Sequence, residues 1–263
     1  MKSFVRRSVT AGLVGSALLG SVLAGAMQVL ALPKEQILQK LRPIPVFTIA
    51  NSQGAPLVAS PRQGEKGQPV AGVFISQKDA QAFLDNLKTR NPELAKGVSV
   101  VPVSLAEIYQ LGLDNKGKPD GLGFAFVPSQ QQVASATNLL KQTGQQVQQF
   151  NGTPLFVARG GKEKGYLTIQ QGNQAVIPMF FKKEELQTLL DQFKKQEPNM
   201  ASTIEIQVLN LEGLIQVLQE KNDPQLNQIV LVPAQESIDY VRSLAPAGQK
   251  PAPAPAPANA PKK

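Results

Sequence analysis

The side chains in this sequence that have the right type and spacing for chemistry are few. Asp85 and Asp191 stand at equivalent places in two similar segments, and a pair of carboxylates can carry acid–base work. Each lies between apolar helix positions and is followed three residues on by Lys88 or Lys194, so an i, i+3 surface ion pair is the simpler account. Gly160-Gly-Lys-Glu-Lys-Gly165 has the glycines of a phosphate cradle but neither the P-loop spacing nor a helix opening after it. It reads as a hairpin loop. Asp114-Asn-Lys-Gly-Lys-Pro-Asp-Gly121 has the composition of a calcium loop without its ordered oxygen ligands or closing Glu, and reads as a solvated turn.

The chain has no His and no Cys. Ser-His-Asp triads, thiol nucleophiles, zinc fingers and imidazole-based metal sites are therefore excluded within it. No disulfide can brace it, so its core must stabilise it alone. What remains for an enzyme is carboxylate, Lys, Ser or Tyr chemistry with no constellation to organise it. We expect no enzyme, no cofactor and no metal.

Net charge is +8, from 27 basic and 19 acidic residues. Six of the basic residues, Lys2, Arg6, Arg7, Lys250, Lys262 and Lys263, lie at the ends, leaving 21 against 19 in the body. No window concentrates Lys or Arg among aromatics, so a nucleic-acid partner is not expected.

The ends read as follows. Residues 1–31 have a basic start, an apolar Ala/Gly/Leu stretch and the small-residue site Val29-Leu-Ala31, the layout of a secretory signal peptide. The uncharged stretch from Ser8 to Pro33 is long enough to span a bilayer. Its small-residue content favours removal, with no stable membrane insertion afterwards. The residues around Arg6-Arg7 fit the twin-arginine motif poorly. Residues 246–263 hold alternating Pro and Ala and read as a disordered, extended tail.

The elements between these ends are stated nearly twice. Val70 to Lys88 recurs without a gap as Val176 to Lys194, and Val70, Phe74, Gln81, Leu84, Asp85 and Lys88 have identical partners in Val176, Phe180, Gln187, Leu190, Asp191 and Lys194. Pro45–Ala50 reads as a strand with a return strand at Pro56–Ala59. In the second copy, Val147–Phe150 turns at Asn151-Gly152, a hairpin signal, and Thr153–Ala158 aligns with Ala55–Ser60. Val70–Ile75 and Val176–Phe181 are near-continuous apolar strands. Ser76 with Asp79 has capping-box spacing, and Ala80, Phe83, Leu84 and Leu87 form one apolar helix face.

Strands at Val98–Val103 and Thr203–Leu209 lead to helices capped by Ser104 and Asn210. Last strands at Phe124–Val127 and Ile229–Val232 lead to final helices. The fold class is α/β (mixed α+β): an internal duplication of a β-β-β-α-β-α-β-α unit in halves 32–145 and 146–245, related by a pseudo-twofold. The halves either form two lobes with their own cores or pair across that axis.

Phe74-Ile75 and Phe180-Phe181 are consecutive strand residues, so the members of each pair point to opposite faces. If helices leave the second face open, it is an exposed apolar patch and a partner surface. The alternative is full burial inside a sheet covered on both sides.

Pro45-Val-Phe-Thr-Ile-Ala-Asn51, Gly72-Val-Phe-Ile-Ser-Gln-Lys-Asp79, Val101-Pro-Val-Ser-Leu-Ala-Glu-Ile-Tyr109, Phe126-Val-Pro128, Gly152-Thr-Pro-Leu-Phe-Val157 and Ile177-Pro-Met-Phe-Phe181 together resemble the Tic twenty-two-like family. The likeness runs from about Ile44 to Leu244. It implies two related halves with apolar grooves and no catalytic motif. It also implies a soluble periplasmic protein, equivalent to one of the plastid intermembrane space, that acts as a chaperone in protein transport and outer-membrane assembly. Partners implied are unfolded precursor or outer-membrane proteins, and assembly or translocon components. The side chains singled out for client binding are Phe47, Phe74, Ile75, Phe126, Phe156, Phe180 and Phe181. A non-catalytic envelope adaptor, docking folded partners through the proline tail, is the rival reading.

Overall fold

The computed structural model describes residues 32–61, 67–161, 163–197, 203–221 and 223–244. The expected signal segment 1–31 and tail 246–263 lie outside the described residues. The described chain is mixed α/β, with two sheets and nine helices among those residues.

The first sheet is built from β1 (Pro45–Asn51), β2 (Val58–Ala59), β3 (Val70–Phe74), β4 (Val98–Ser104) and β5 (Gly123–Val127). The second contains β6 (Pro154–Gly160), β7 (Gly165–Tyr166), β8 (Ile169–Gln171), β9 (Gln174–Phe180), β10 (Glu205–Asn210) and β11 (Ile229–Val232). The helices are α1 (Lys34–Leu41), α2 (Gln77–Arg90), α3 (Pro92–Ala95), α4 (Leu105–Asn115), α5 (Gln130–Gln142), α6 (Lys183–Gln196), α7 (Leu211–Glu220), α8 (Pro224–Gln228) and α9 (Gln235–Leu244).

The sheets share one strand order. β4 pairs antiparallel with β1, β1 antiparallel with β3, and β3 parallel with β5. In the same sense β10 pairs with β6, β6 with β9, and β9 with β11. Phe47 sits across from Phe74 in the first sheet and Phe156 across from Phe180 in the second.

Register corrects part of the sequence reading. Pro154 lies opposite Asn210 as Pro45 lies opposite Ser104, so Pro154–Ala158 is the counterpart of β1, not of Ala55–Ser60. Two Pro-led apolar runs look alike in sequence, but a strand's place is set by what it pairs with on both edges. Val147–Phe150 forms no strand. Asn151-Gly152 makes no hairpin. The carbonyl of Asn151 accepts from Asn210 Nδ2 at 2.7 Å, and Gly152 (φ +83°) lies so close to that side chain that no Cβ would fit. The expected return strand shortens to Val58–Ala59 and pairs with β3, after a single bridge from Pro56 to Ala50. α1, α3 and α8 are additions to the expected unit, and the segment between β6 and β9 forms the two short strands β7 and β8.

Local signals behave as their chemistry requires. Ser104 and Glu107 form a reciprocal capping box: Ala106 N–H donates to Ser104 Oγ at 3.1 Å and Ser104 N–H to Glu107 Oε2 at 2.9 Å. Ser76 accepts from Asp79 N–H at 3.3 Å, and Asn210 accepts from Gly213 N–H at 2.9 Å. Gly160 and Gly165 flank the β6–β7 hairpin.

The core has three clusters. The largest draws on the inner faces of both sheets, through Val46, Val73, Leu155 and Met179, and on α1, α4, α7 and α8. Phe47, Ile49 and Phe74 pack under α2 on the outer face of the first sheet, and Phe156, Ala158 and Phe180 under α6 on that of the second. The last helix of each half crosses over. α5 packs on β6 and β10, placing Ala136 in the second sheet's outer cluster, while α9 packs on β1, with Tyr240 against the first sheet's. The halves are therefore not two lobes with separate cores.

Candidate functional site

The helix pair at the centre of the molecule makes the site. α4 begins at its capping box after β4, and α7 begins at the Asn210 cap after β10, so the two helices leave their sheets in the same way. Buried Leu105, Ile108, Leu211, Leu214 and Leu218 fix both helices in the shared core. Between the two helices, Gln219 Nε2 donates to Tyr109 Oη at 3.0 Å.

Beside that hydrogen bond lies an apolar groove of about 330 Å³. Tyr109, Leu113, Phe124, Phe126 and Ile215 form its walls, and Gln68, Asn115, Lys116 and Gln219 stand among its polar lining. Phe124 and Phe126 alternate with Ala125 and Val127 along β5, so period two alone puts both rings on the groove side. Gly112 is part of its lining. A Cβ there would meet Phe124 only at 4.0 Å, so the absence of a side chain leaves usable space open. Glu212 also lines the groove, held by Thr153: N–H to Oε2 at 3.0 Å and Oγ1–H to Oε1 at 2.8 Å.

A second apolar recess of about 400 Å³ lies in the second half, between β9, α7 and α8, with Tyr166, Met179, Val217 and Leu226 on its walls. α8 is braced there by Lys40, whose Nζ donates to the carbonyls of Asn227 and Ile229, both at 2.9 Å. Burial holds the Lys40 ammonium below its usual pKa.

Of the side chains singled out for client binding, Phe126 lines this groove and is half-buried. Phe47, Phe74, Ile75, Phe156, Phe180 and Phe181 lie in the core, and the most open of them, Ile75, is 9 % exposed. Of the two alternatives for Phe74-Ile75 and Phe180-Phe181, an open apolar patch or full burial, burial is the one that forms. Val73, Ile75 and Phe181 meet α-helices and the other sheet's residues in the central cluster, while Phe74 and Phe180 lie under α2 and α6. Alternation fixes opposite faces but is silent on what covers each. Tyr109, Phe124 and Ile215 were not singled out in the sequence; the signal that could have found them was the aromatic alternation of Phe124-Ala-Phe126 beside a helix.

Each carboxylate is taken up on its own helix. Asp85 pairs with Lys88 at 3.0 Å and Asp191 with Lys194 at 3.7 Å, both on exposed helix faces. Gln81 and Gln187 donate to them at 2.9 Å. The hydrogen bonds from Lys88 and then Gln81 hold Asp85 below the usual carboxylate range. Among the described residues no group of three or more His, Cys, Asp or Glu is placed to hold a metal, and no helix is long and apolar enough to cross a membrane.

The model of the Tic22-like family matches residues 8–243. "Anabaena Tic22 (protein transport)" has a solved structure that superposes with a TM-score of 0.73 at 38 % identity, covering 82 % of this chain and 99 % of that one. The Tic22 of Plasmodium falciparum, at 22 % identity and TM-score 0.62, covers 79 % of this chain and 96 % of its own and shares the fold. Among curated proteins, an Arabidopsis thaliana protein named TIC 22-like, chloroplastic, is 26 % identical over 77 % of this chain. The Pisum sativum protein TIC 22, chloroplastic, is 24 % identical over 76 % of it. The chain spans 61 % of the Arabidopsis protein's length and 73 % of the pea protein's.

Proposed function

The chain belongs to the Tic22-like family, and from that premise we propose that it is an exported protein-transport factor that holds unfolded apolar segments of other exported chains in the groove between α4, α7 and β5. It works without catalysis, in a periplasmic space, and its clients are unfolded precursor and outer-membrane proteins. The carrying observation is the groove itself. An open cleft with aromatic walls and an amide-bearing rim accepts an apolar side chain while hydrogen-bonding the backbone on either side of it. Burial of one such side chain contributes about 1.5–3 kcal/mol before the entropy of ordering the client is subtracted. Single contacts are thus weak and reversible, as handing a client onward requires.

We also propose that the halves derive from one duplicated unit. The support is the common strand order, the paired phenylalanines and the equal departure of α4 and α7 from their sheets.

The test is Gly112→Leu. The new side chain enters the groove from a position with room for a Cβ, and a helix interior favours Leu over Gly by roughly 0.5–1 kcal/mol. Suppression of aggregation of an unfolded outer-membrane protein should fall while thermal stability holds or rises. Unchanged suppression by a folded Gly112→Leu protein would falsify the groove as the client site. Fractionation of the host cell tests the periplasmic reading, which fails if the mature chain stays with the cytoplasm.

A further inference from the structure

The two crossed-over helices are fastened very differently. α5 buries Gln132, Val133, Ala136 and Thr137. Gln132 Nε2 donates to Glu184 Oε2 at 2.8 Å and its Oε1 accepts from Lys183 N–H at 3.0 Å, while Thr137 Oγ1 accepts from Phe150 N–H at 2.9 Å. α9 has the corresponding post on the first sheet but buries only Ser237. It reaches the cluster beneath through Tyr240, whose ring stands edge-on to Phe47 at 5.7 Å.

What holds α9 otherwise is polar and near the surface. Glu236 is paired with Lys182 at 3.2 Å and with Lys78 at 3.3 Å, and Gln235 N–H donates to Glu185 Oε1 at 2.9 Å. The Lys78 side chain is 76 % exposed, and such pairs contribute little. Beneath this light fastening, beside α2, lies the buried cluster of Phe47, Ile49 and Phe74, with Phe47 at 0 % exposure.

We infer that α9 is a displaceable strap, and that the sheet face it covers accepts in its place an amphipathic helical segment of a client with α9's own pattern, an acidic residue at its start and an aromatic one turn on. Charge complementarity and shape carry this. When α9 lifts, Lys78 and Lys182 are left without Glu236 and offer two cations to an acidic helix start. Phe47 is left without the ring that packed edge-on against it. A segment repeating the Glu236–Tyr240 spacing restores both. The inference rests on the protein-transport reading but uses a different surface from the groove, so the two can fail separately.

The natural chain has no Cys, so Lys78→Cys with Glu236→Cys introduces two thiols only, at positions whose side chains already reach each other. A short bismaleimide then ties α9 to α2. The probe is a fluorescent peptide of residues 235–244, titrated into the full-length protein by anisotropy. Expected is measurable uptake by the natural chain and up to roughly tenfold tighter uptake by Glu236→Gln, from loss of two surface ion pairs. Uptake should be lost when the two thiols are linked.

Equal uptake before and after linking overturns the inference, as does no uptake by Glu236→Gln. A dimer that linking abolishes, with no peptide bound, overturns it in favour of α9 exchange between two copies. Peptide uptake that persists in Gly112→Leu while aggregation suppression fails leaves the strap standing and concerns the groove alone.

Discussion

Gln219, near the end of α7, donates its side-chain amide to the phenol of Tyr109 in α4 at 3.0 Å, across 110 residues of sequence. It is a polar tie between the central helices of the two halves, and it stands at the rim of the groove. Tyr109→Phe removes the acceptor and leaves the ring. The half-buried amide then loses one partner, at about 0.5–1.5 kcal/mol. Urea unfolding should show that loss with an unchanged slope, and the rim should become easier to part. A variant as stable as the natural chain means solvent already satisfies Gln219.

The aromatic residues divide into two classes by what their removal does. Phe156→Ala and Phe181→Ala empty core positions that are 0 % and 3 % exposed and should each cost about 3–5 kcal/mol. Phe126→Ala, at the groove wall, should cost less and weaken client retention more. Chemical denaturation beside a client-aggregation assay separates them. If Phe126→Ala loses stability as Phe156→Ala does and no binding beyond it, the groove wall is only core.

Thr153 is 1 % exposed and gives both its N–H and its hydroxyl to Glu212. Glu212→Ala leaves two buried donors without that partner, a cost of about 1–3 kcal/mol. Glu212→Gln, which keeps an acceptor oxygen, should recover part of it. Equal loss in both variants would assign the effect to charge rather than to hydrogen bonding.

The two acids that meet at the start of α9, Glu236 on α9 itself and Glu185 on α6, should respond to pH in opposite senses. For Glu236, burial acts to raise the pKa, but the hydrogen bonds and charges of Lys182 and Lys78 outweigh it and hold the carboxyl below its ordinary 4.5. Its contribution is present above that value and is lost as pH falls through the lower folded one. For Glu185, burial raises the pKa and the Gln235 N–H only partly offsets this. Its contribution is present below pH 4.5 and is lost as pH rises through the folded value. Stability from pH 3 to 7 should therefore rise less steeply in Glu236→Gln than in the natural chain, and more steeply in Glu185→Gln. Parallel curves for the three proteins refute the assignment.

Local chemistry was largely legible in the sequence. The Ser104–Glu107 box, the Asn210 cap and the Asp85–Lys88 and Asp191–Lys194 pairs form where spacing places them, because each is closed within one helical turn. The apolar runs at Val70 and Val176 became the strands they resembled. What escaped depends on distant partners. α1 buries only Ile37 and Leu41, too short a pattern to stand out beside the apolar stretch that precedes it in the sequence. Asn151-Gly152 has a hairpin's composition but serves the cap of α7, some 59 residues on. Phe180-Phe181 spelled out its two faces correctly, yet the cover on one of them comes from the other sheet and the central helices. Groove and core aromatics share one composition, and packing alone sorts them.

The exchange of final helices bears on how the chain becomes a protein. Phe47 is among the first strand residues to emerge during synthesis, and Tyr240, the ring that closes over it, is among the last described. Contacts so remote in sequence carry a large loop-closure entropy and form late. The first half can assemble its strands and α2 as it arrives, but with the part of β1 beneath Tyr240 still uncovered. It becomes complete only when the end of the second half is delivered. A chain truncated before residue 235 should therefore be retained in a sticky, protease-sensitive form, and maturation of the whole should be gated by its final ninth of sequence.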